Sequence, residues 1–328
     1  MRVFATRQIP GDHLEKLKGL GFEVEISEFD RPLTPEELLE KTKGYEGIIS
    51  LLTDKIDGEV IDAIGPQLKI ISNYAVGFDN INVDEATKRG VVITNTPSDE
   101  VNEAVAEHTW ALILALTRRV VEADEATRRG AYKGWKPDIF LGKSLKGKTL
   151  GIVGMGRIGS MVVNRAQGFG MQVLYNKHTR DTDAEEKLGI KFAELDTLLA
   201  ESDVVTLHVP LNDETRHLIN KETLMKMKKG SYLINTARGP VVLEHALVES
   251  LRDGHLGGAA LDVFETEPNI DPELFGMPNV ITTPHIASAT YEAREEMGKM
   301  AIEAIEEFSK GQMPANIVNK DVWENRRK

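Results

Sequence analysis

The chain has 328 residues, of which 41% are hydrophobic and 28% charged, and this size and balance predict a globular protein of two domains. It has no cysteine, which excludes disulfides, thiolate nucleophiles and zinc–thiolate sites and is compatible with a reducing cytoplasm, where we expect the protein to work. A formal net charge of −12, an N-terminus without an apolar signal segment and the lack of a membrane-length apolar run argue against nucleic acid and membrane partners.

Strand-like and helix-like patterns alternate along the first hundred residues, which is typical of parallel α/β sheets. The strand candidates are Val3–Thr6, Glu23–Ser27, Gly47–Leu51, Lys69–Ser72 and Val91–Thr94. Helical patterns lie between them, for example at Thr34–Lys43 and Val83–Arg89. These elements predict a complete α/β unit at the start of the chain.

A second α/β unit follows the long helical pattern Glu100–Arg118. Its strand candidates lie near Leu150, Val173, Val204, Leu233, Ala259 and Ile281. A second long helical pattern, Ala287–Phe308, leads the chain back to the first unit, and prolines beside both crossings make Thr96–Ser98 and Thr283–His285 hinge candidates. We therefore predict a discontinuous first domain, 1–98 plus 287–328, and a second domain, 99–286, to which the motifs below assign substrate binding and dinucleotide binding respectively.

The pattern Glu100–Arg118 is apolar on more than one face. Its apolar residues include Ala104, Val105, Ala111, Leu112, Leu114 and Ala115. A helix that is apolar around most of its circumference must be buried on both sides. We predict that it contributes to a homodimer interface, and burial between the two domains of one chain is the alternative.

The segment Lys148–Gly159, KTLGIVGMGRIG, combines a short strand with a glycine-rich turn and the start of a helix. In such a motif Gly154 permits the tight turn, Gly156 lets the backbone approach a pyrophosphate, and Gly159 lets the helix pack against the strand. A second strand pattern follows at Gln172–Tyr175, as a dinucleotide-binding unit requires. The motif predicts dinucleotide binding, and a purely structural turn is the alternative.

The end of that second strand indicates which dinucleotide is bound. An NAD-specific site places Asp or Glu there to accept hydrogen bonds from the ribose. This chain has Lys177, followed by His178, Thr179 and Arg180, and no carboxylate before Asp181. These donors predict a pocket for a 2′-phosphate and a preference for NADP(H), with NAD(H) also possible; an ordinary exposed basic loop is the alternative.

Three further segments after the glycine motif carry residues suited to hydride-transfer chemistry. Arg238 follows an apolar strand, and its guanidinium fork can hold a carboxylate and polarise a neighbouring keto oxygen. His285 titrates near neutral pH, and a carboxylate such as Glu267 beside it would favour the imidazolium form of a general acid. Taken singly, each could also be an ordinary structural residue: a surface ion-pair former, a solvated loop residue or a satisfied buried histidine.

Taken together, the motifs resemble those of the D-isomer-specific 2-hydroxyacid dehydrogenases. They are NYAVGFDN at 73–80, GMGRIG at 154–159, NTARG at 235–239, LDVFETEP at 261–268 and TPHIASAT at 283–290, and the resemblance extends over essentially the whole chain. Within the family the chain is similar to the glyoxylate and hydroxypyruvate reductases. The resemblance implies that Arg238, Glu267 and His285 are the catalytic arginine, glutamate and acid–base histidine, and that the active site lies in the cleft between a flavodoxin-like and a dinucleotide-binding domain, both Rossmann-like with parallel sheets.

The resemblance also implies roles for binding residues. The turn of Ala75, Val76 and Gly77 would offer backbone N–H groups to the substrate carboxylate beside Arg238, and Trp135 would close the active site of the other subunit in a homodimer. Asp262 would bind the nicotinamide carboxamide. The cofactor site would comprise Gly154, Met155, Gly156, Arg157, Ile158, Gly159, Lys177, His178, Thr179, Arg180, His208, Val209, Pro210, Thr236, Ala237, Asp262 and Ala287.

The expected activity is the NAD(P)H-dependent reduction of a small 2-keto acid, glyoxylate or hydroxypyruvate, to the D-2-hydroxy acid, with no metal site. A reductase of the D-lactate or phosphoglycerate dehydrogenase type is one alternative, and a non-enzymatic, dinucleotide-sensing protein of the corepressor type is another. Val76 replaces the lysine of the related phosphite dehydrogenases, and Glu267 replaces the glutamine of the formate dehydrogenases, which argues against both substrates. Leu243 stands where the family usually has a helix-capping Asp, so we expect weaker local stability there.

Overall fold

The computed structural model describes residues 1–328, which divide into two compact units, Met1–Val101 with Ala289–Lys328, and Asn102–Ser288. The first unit is therefore made from two separate pieces of the chain. Each unit contains one parallel β-sheet, of five strands in the first and seven in the second. The prediction of an α/β fold with two parallel-sheet domains is confirmed.

The sheet of the first unit has the strands β1 Arg2–Ala5, β2 Glu23–Ile26, β3 Gly47–Leu51, β4 Ile70–Tyr74 and β5 Val92–Thr94. Their order is β2-β1-β3-β4-β5 and every pairing is parallel, which is the flavodoxin-like order. The interior strands β3 and β4 are buried along almost their whole length. This burial on both faces explains why β3 is a nearly continuous apolar run instead of an alternating one, and why the buried Ser72 and Asn73 of β4 are held by hydrogen bonds.

The helices that alternate with these strands are α1 His13–Gly19, α2 Pro35–Lys41, α3 Gly58–Ile64 and α4 Val83–Lys88. Three of them begin at a polar cap. Thr34 and Glu37 form a reciprocal capping box at α2, and the side chains of Asp57 and Asn82 accept backbone N–H groups at α3 and α4. These caps place the helix starts one residue after the polar side chain.

The C-terminal piece of the first unit carries a long helix, Tyr291–Ser309, and ends in a 3₁₀ segment, Lys320–Asn325. The helix begins at Tyr291 and not at the predicted Ala287, because the Thr290 hydroxyl caps it by accepting the Ala293 N–H at 3.1 Å. The hydroxyl of Ser72 on β4 donates to the Ala301 carbonyl at 2.9 Å. This contact ties the returning helix to the sheet of the first unit.

The sheet of the second unit has the strands β6 Thr149–Val153, β7 Gln172–Asn176, β8 Lys191–Phe192, β9 Val204–Leu207, β10 Tyr232–Asn235, β11 Gly258–Leu261 and β12 Val280–Thr282. Their order is β12-β11-β10-β9-β6-β7-β8, all parallel. The chain order reverses at β6, which pairs with β7 on one side and β9 on the other. Ligands of open α/β sheets bind outside the carboxyl ends of the strands at such a switch point.

The helices of the second unit are α5 Asp99–Thr117, which begins just before the boundary, α6 Val120–Arg128, α7 Arg157–Ala166, α8 Thr182–Leu188, α9 Leu195–Glu201, α10 Lys221–Lys226 and α11 Glu244–Arg252; the C-terminal helix is then α12. Three 3₁₀ segments, Gln167–Phe169, Gly239–Val241 and Pro272–Gly276, complete the unit. None of the helices combines the length and the apolar character that crossing a bilayer requires.

Helix α5 packs into the core of the second unit. Ala106, Trp110 and Ile113 are buried in one cluster with strand residues of the sheet, and the Trp110 indole N–H donates to the Val162 carbonyl at 3.0 Å. Ala111 is exposed on the other side of the helix. Part of the apolar surface that predicted a dimer interface is therefore covered within the chain itself, and the dimer stays a prediction.

Candidate active site

Each glycine of the loop after β6 has its own steric reason. Gly154 has a φ of 98°, and a Cβ there would lie 2.6 Å from the backbone of His208. A Cβ at Gly159 would lie 2.4 Å from the Gly154 carbonyl oxygen. A Cβ at Gly156 would meet nothing within 4 Å, so the backbone at Gly156 is open to an approaching ligand.

Helix α7 begins at Arg157, directly after that open glycine. Gly156 makes no side-chain cap, and the first turn of the helix contains no acidic residue. The N–H groups at this end and the positive end of the helix dipole favour an anion. The loop and the helix together fit the pyrophosphate of a dinucleotide. Met155 is buried within this loop, and Ile158 lies in the first turn of the helix.

The basic residues after β7 are exposed, and three of them have carboxylate partners. Arg180 forms two hydrogen bonds of 2.7 Å with Glu185, while Lys177 Nζ lies 3.5 Å from Asp181 and His178 lies 3.3 Å from Glu214. Thr179 is exposed between them.

The Arg180–Glu185 contact is the firmest of these pairs. Hydrogen bonds from Arg180 and then from the buried Tyr175 lower the pKa of Glu185 to about 2. Arg180 is therefore paired with Glu185 at two points, whereas Lys177 has only the longer contact with Asp181.

Arg238 lies in a tightly held turn at the carboxyl end of β10. The buried Asn235 side chain accepts the Ala237 N–H at 3.0 Å and donates to the Arg238 carbonyl at 2.9 Å. At the next position, a Cβ on Gly239 would lie 1.8 Å from the Phe264 carbonyl oxygen, so only glycine fits. The backbone that carries the half-buried Arg238 side chain is thus fixed on both sides.

His285, after β12, pairs with Glu267, which follows β11. The distance from His285 Nδ1 to Glu267 Oε2 is 2.9 Å, and Glu267 Oε1 accepts the Phe264 N–H at 3.1 Å. With Nδ1 engaged, Nε2 is the nitrogen left for proton transfer. His285 has a φ of 54°, a left-handed conformation that a non-glycine residue holds only when its surroundings enforce it.

Asp262 enforces the turn that carries His285. Its fully buried carboxylate accepts the Thr283 hydroxyl at 2.6 Å and the N–H groups of Ile286 and Ala287 at 2.9 and 2.8 Å. Burial alone raises the pKa of Asp262, but hydrogen bonds from His108, Thr283 and the two backbone amides outweigh it and leave the pKa below its ordinary value. The residue predicted to bind the carboxamide therefore already supports the histidine turn.

His208 follows β9 and borders the glycine loop. Burial lowers the pKa of His208 to about 3, so its imidazole is neutral, and its Nε2 lies 3.0 Å from the Thr206 hydroxyl. The backbone N–H of His208 donates to the Val153 carbonyl, at the end of β6, at 2.7 Å. Val209 and Pro210 continue from it at the same strand end, as Thr236 does after β10.

The predicted substrate turn lies in the first unit, after β4. Asn95 donates to the Val76 carbonyl at 2.6 Å, and Asn73 donates to the Gly77 carbonyl at 3.0 Å. Ala75 is buried, and its N–H donates to the Asn73 carbonyl at 2.8 Å. Side-chain amides therefore hold this turn in a defined conformation.

Trp135 lies in the second unit, in the segment after α6. Its surface is 79% exposed, and Tyr132 and Leu141 nearby in the sequence are 56% and 67% exposed. Helix α6 itself contains no buried residue. The structure therefore leaves Trp135 outside the group of site residues that it assembles within one chain.

A second His–Glu pair, His217 with Glu265, was not anticipated from the sequence. His217 Nε2 lies 2.7 Å from Glu265 Oε1, and Glu265 Oε2 accepts the Glu244 N–H at 2.8 Å. Glu265 thereby caps α11 in place of the missing side-chain cap at Leu243. The only local signal was the spacing of two glutamates in Glu265–Glu267, which does not say that one of them is a cap.

Comparison with known proteins places this geometry in a family. Residues 110–287 match the model described as D-isomer specific 2-hydroxyacid dehydrogenase, NAD binding domain. The glyoxylate reductase of Thermococcus litoralis is 47% identical over 325 residues, which cover 98% of this chain and 97% of that protein.

Solved structures agree over the whole chain. A protein of Thermus thermophilus superposes with a TM-score of 0.90 at 45% identity, covering 97% of this chain and all of the other. The D-lactate dehydrogenase of Aquifex aeolicus, solved with NAD and lactic acid, gives a TM-score of 0.85 at 33% identity, with coverage of 97% and 99%. These matches confirm the resemblance drawn from the sequence and the predicted oxidoreductase with a nicotinamide dinucleotide.

Proposed function

We propose that this chain, which belongs to the D-isomer-specific 2-hydroxyacid dehydrogenase family, reduces a small 2-keto acid to the D-2-hydroxy acid. The observation that carries the proposal is the His285–Glu267 pair, 2.9 Å apart, at the same sheet edge as Arg238 and the glycine loop. An acid, an arginine fork and a phosphate-binding loop at one edge are the groups that this reduction needs.

In the proposed reaction, the glycine loop and α7 would hold a reduced nicotinamide dinucleotide, which would supply the hydride that the keto carbon receives. His285, whose Nδ1 is held by Glu267, donates the proton on Nε2 to the keto oxygen. Arg238 binds the substrate carboxylate with its planar fork and stabilises the negative charge that develops on the oxygen. The family resemblance assigns the backbone N–H groups of the Ala75–Gly77 turn to the same carboxylate.

Glyoxylate or hydroxypyruvate is the substrate we propose. The support is the resemblance of the motifs and the name of the Thermococcus litoralis relative, a glyoxylate reductase. Pyruvate is the competitor that the Aquifex aeolicus structure suggests. These acids differ by one small group, which a pocket distinguishes by only about 1–3 kcal/mol.

The first experiment measures oxidation of NADPH and NADH with glyoxylate, hydroxypyruvate, pyruvate and phosphohydroxypyruvate, followed by the loss of nicotinamide absorbance. We expect the highest kcat/KM with glyoxylate or hydroxypyruvate. Tight cofactor binding without turnover of any keto acid would instead support a dinucleotide-sensing protein and overturn the proposal.

We propose NADPH as the preferred cofactor, with Lys177 as the residue that selects it. Lys177 directly follows β7, at the position where an NAD-specific enzyme has an acidic residue. Its ammonium group lies 3.5 Å from Asp181 and can exchange this partner for the 2′-phosphate of the cofactor. A hydrogen bond to a charged group is worth about 1.5–3 kcal/mol, so losing this one changes specificity by about tenfold to hundredfold.

The Lys177→Asp variant tests this choice, with Arg180→Gln as its control. We expect Lys177→Asp to shift the kcat/KM ratio toward NADH, and Arg180→Gln to shift it much less because Glu185 already holds Arg180. Equal or better kcat/KM with NADH in the unmutated protein would overturn the cofactor assignment and leave the dehydrogenase intact.

We also propose that the protein works as a homodimer in the cytoplasm. The support for the dimer is the number of exposed apolar side chains in one stretch of the second unit: Val120 and Val121 of α6, and Tyr132, Trp135 and Leu141 after it. Sedimentation of the unmutated chain tests the assembly, and Val121→Glu should weaken it. A monomer at micromolar concentration would contradict the proposal.

A further inference from the structure

Two consecutive residues of α5, His108 and Thr109, each contact a threonine that precedes a proposed catalytic residue by two positions. His108 Nε2 lies 3.1 Å from the hydroxyl of Thr283, which precedes His285. The Thr109 hydroxyl lies 2.9 Å from the hydroxyl of Thr236, which precedes Arg238. The two contacts lead from one turn of one helix to both segments that carry the proposed chemistry.

The hydrogen positions in the His108 contact follow from its neighbours. Thr283 has one hydroxyl proton, and Asp262, which only accepts, takes it at 2.6 Å. Thr283 must therefore accept a hydrogen bond from His108, which means that the Nε2 atom of His108 bears a hydrogen. That N–H also points toward Asp262 Oδ1 at 3.5 Å.

The chain of contacts continues to the proposed acid. Asp262 holds the N–H groups of Ile286 and Ala287, which flank His285 on its C-terminal side, and the Asp262 carbonyl accepts the His285 N–H at 2.8 Å. His108 therefore supports the carboxylate that keeps His285 in its left-handed conformation.

The Thr109 contact has an equally definite direction. The Thr109 hydroxyl donates its hydrogen bond to the Val105 carbonyl at 2.8 Å. In the contact between the two threonines, the Thr236 hydroxyl is therefore the donor and the Thr109 hydroxyl the acceptor. Both hydroxyls are buried, with Thr109 fully shielded from solvent. Thr236 lies between Asn235, which bridges the turn, and Arg238, so this bond fixes the segment that presents the guanidinium.

We infer that His108 and Thr109 are positioning residues for the reduction, with His108 acting through Thr283 and Asp262 on His285, and Thr109 acting through Thr236 on Arg238. The inference rests on the proposed function. Neither residue touches the substrate; each removes freedom from a segment whose placement sets the rate, and a misplacement of about 1 Å costs on the order of a hundredfold. The two residues affect different steps because one segment carries the acid and the other the carboxylate anchor.

His108→Leu and His108→Gln test the first arm of the inference, the role of His108; the second arm is the role of Thr109. Leucine fills similar space without a donor, so we expect kcat to fall about tenfold to hundredfold while KM for the keto acid stays within about twofold. Glutamine places an amide N–H near the former Nε2 and should restore most of kcat. An unchanged kcat in His108→Leu, or no rescue by glutamine, would overturn this arm.

Thr109→Val and Thr109→Ser test the second arm, and the same helix offers a matched control. Thr117 is equally buried and its hydroxyl also donates to the carbonyl four residues earlier, at 2.7 Å from Ile113, but it has no threonine partner. We expect Thr109→Val to raise KM for the keto acid about three- to tenfold, with Thr109→Ser near the unmutated value and Thr117→Val unchanged. Equal effects of Thr109→Val and Thr117→Val would show a generic packing role and overturn this arm.

The unmutated protein separates this inference from the function on which it rests. If it turns over no 2-keto acid, the proposed function fails. If it turns over glyoxylate while His108→Leu and Thr109→Val behave like Thr117→Val, the positioning inference alone fails. Cofactor affinity, measured by nicotinamide fluorescence, should stay unchanged in Thr117→Val, the control.

Discussion

The second unit contains two His–Glu pairs with similar contact distances and backbone conformations but different surroundings. His285 contacts Glu267 through Nδ1 at 2.9 Å, which leaves Nε2 for proton transfer, whereas His217 contacts Glu265 through Nε2 at 2.7 Å. Both histidines have left-handed backbones, with φ of 54° and 53°, and the two glutamates are separated by a single residue. All four side chains are partly exposed, so neither pair is distinguished by burial.

The pairs also differ in what the second oxygen of each carboxylate does and in where the histidine is placed. Glu265 uses its other oxygen to cap α11, so that pair joins a helix start to a loop. Glu267 binds the backbone of its own loop, and its histidine lies at the carboxyl end of β12, in the same sheet edge as Arg238. A histidine–carboxylate pair is therefore no sign of catalysis by itself; its position relative to the glycine loop and the arginine carries that assignment.

The largest expected effect compares the two histidines directly. His285→Ala should lower kcat about 10²–10⁴-fold with little change in cofactor affinity, because the imidazole acts on the keto oxygen and not on the dinucleotide. His217→Ala should leave kcat within about twofold. Steady-state kinetics and nicotinamide fluorescence measure both, and near-unmutated turnover in His285→Ala would remove His285 from the mechanism.

Arg238 lies at the same sheet edge as His285, and this neighbour is part of what assigns catalysis to the His285–Glu267 pair. Its removal is the second test of that assignment. Arg238→Ala should raise KM for the keto acid and lower kcat together, with kcat/KM down by about 10²–10³, because the guanidinium both anchors the carboxylate and stabilises the developing charge. Arg238→Lys should recover only part of this, since an ammonium lacks the planar fork. A KM for glyoxylate that does not change would place the carboxylate anchor elsewhere.

The glutamates should differ in their effect on turnover. Glu267 Oε2 lies 2.9 Å from His285 Nδ1 and so orients the ring whose Nε2 faces the substrate. Glu267→Gln should therefore lower kcat about tenfold to hundredfold, because the ring loses its charged partner and with it part of its orientation. Glu265→Gln should leave kcat within about twofold, and losses of equal size in both variants would mean that the Glu267 contact is not specific.

The strands and the motifs were predictable from the sequence because their signals are local. The predicted strand Gly47–Leu51 has the bounds that the structure gives, since a buried parallel strand is a short apolar run between turns. Lys191–Phe192 was not predicted, because a two-residue edge strand carries no periodicity. The start of α12 was placed too early because Ala287 continues an apolar pattern that the Thr290 cap interrupts.

The hydrogen bonds that hold the site residues in place were not predictable in the same way, because they join residues far apart in the sequence. The bond from His108 to Thr283 joins residues 175 positions apart, and the cap from Glu265 to Glu244 joins residues 21 positions apart. No local pattern encodes such pairs. Arg180 and its partner Glu185 are only five positions apart, yet the cluster of basic residues alone does not show which of them is paired with a carboxylate.

The smallest expected effect concerns the cap that Glu265 supplies in place of Leu243. Glu265→Ala should lower the free energy of unfolding by about 1 kcal/mol, because the Glu244 N–H loses its acceptor. Leu243→Asn places an amide oxygen at the N-cap, where it would accept the N–H groups of His245 or Ala246, which Glu265 does not bind. We therefore expect Leu243→Asn to raise the free energy of unfolding by about 1 kcal/mol both in the unmutated protein and in the Glu265→Ala background. Urea denaturation, followed by tryptophan fluorescence, measures all three variants. An unchanged free energy of unfolding in Glu265→Ala would mean that Glu265 does not cap the helix, and the second pair would then need another structural reason for its geometry.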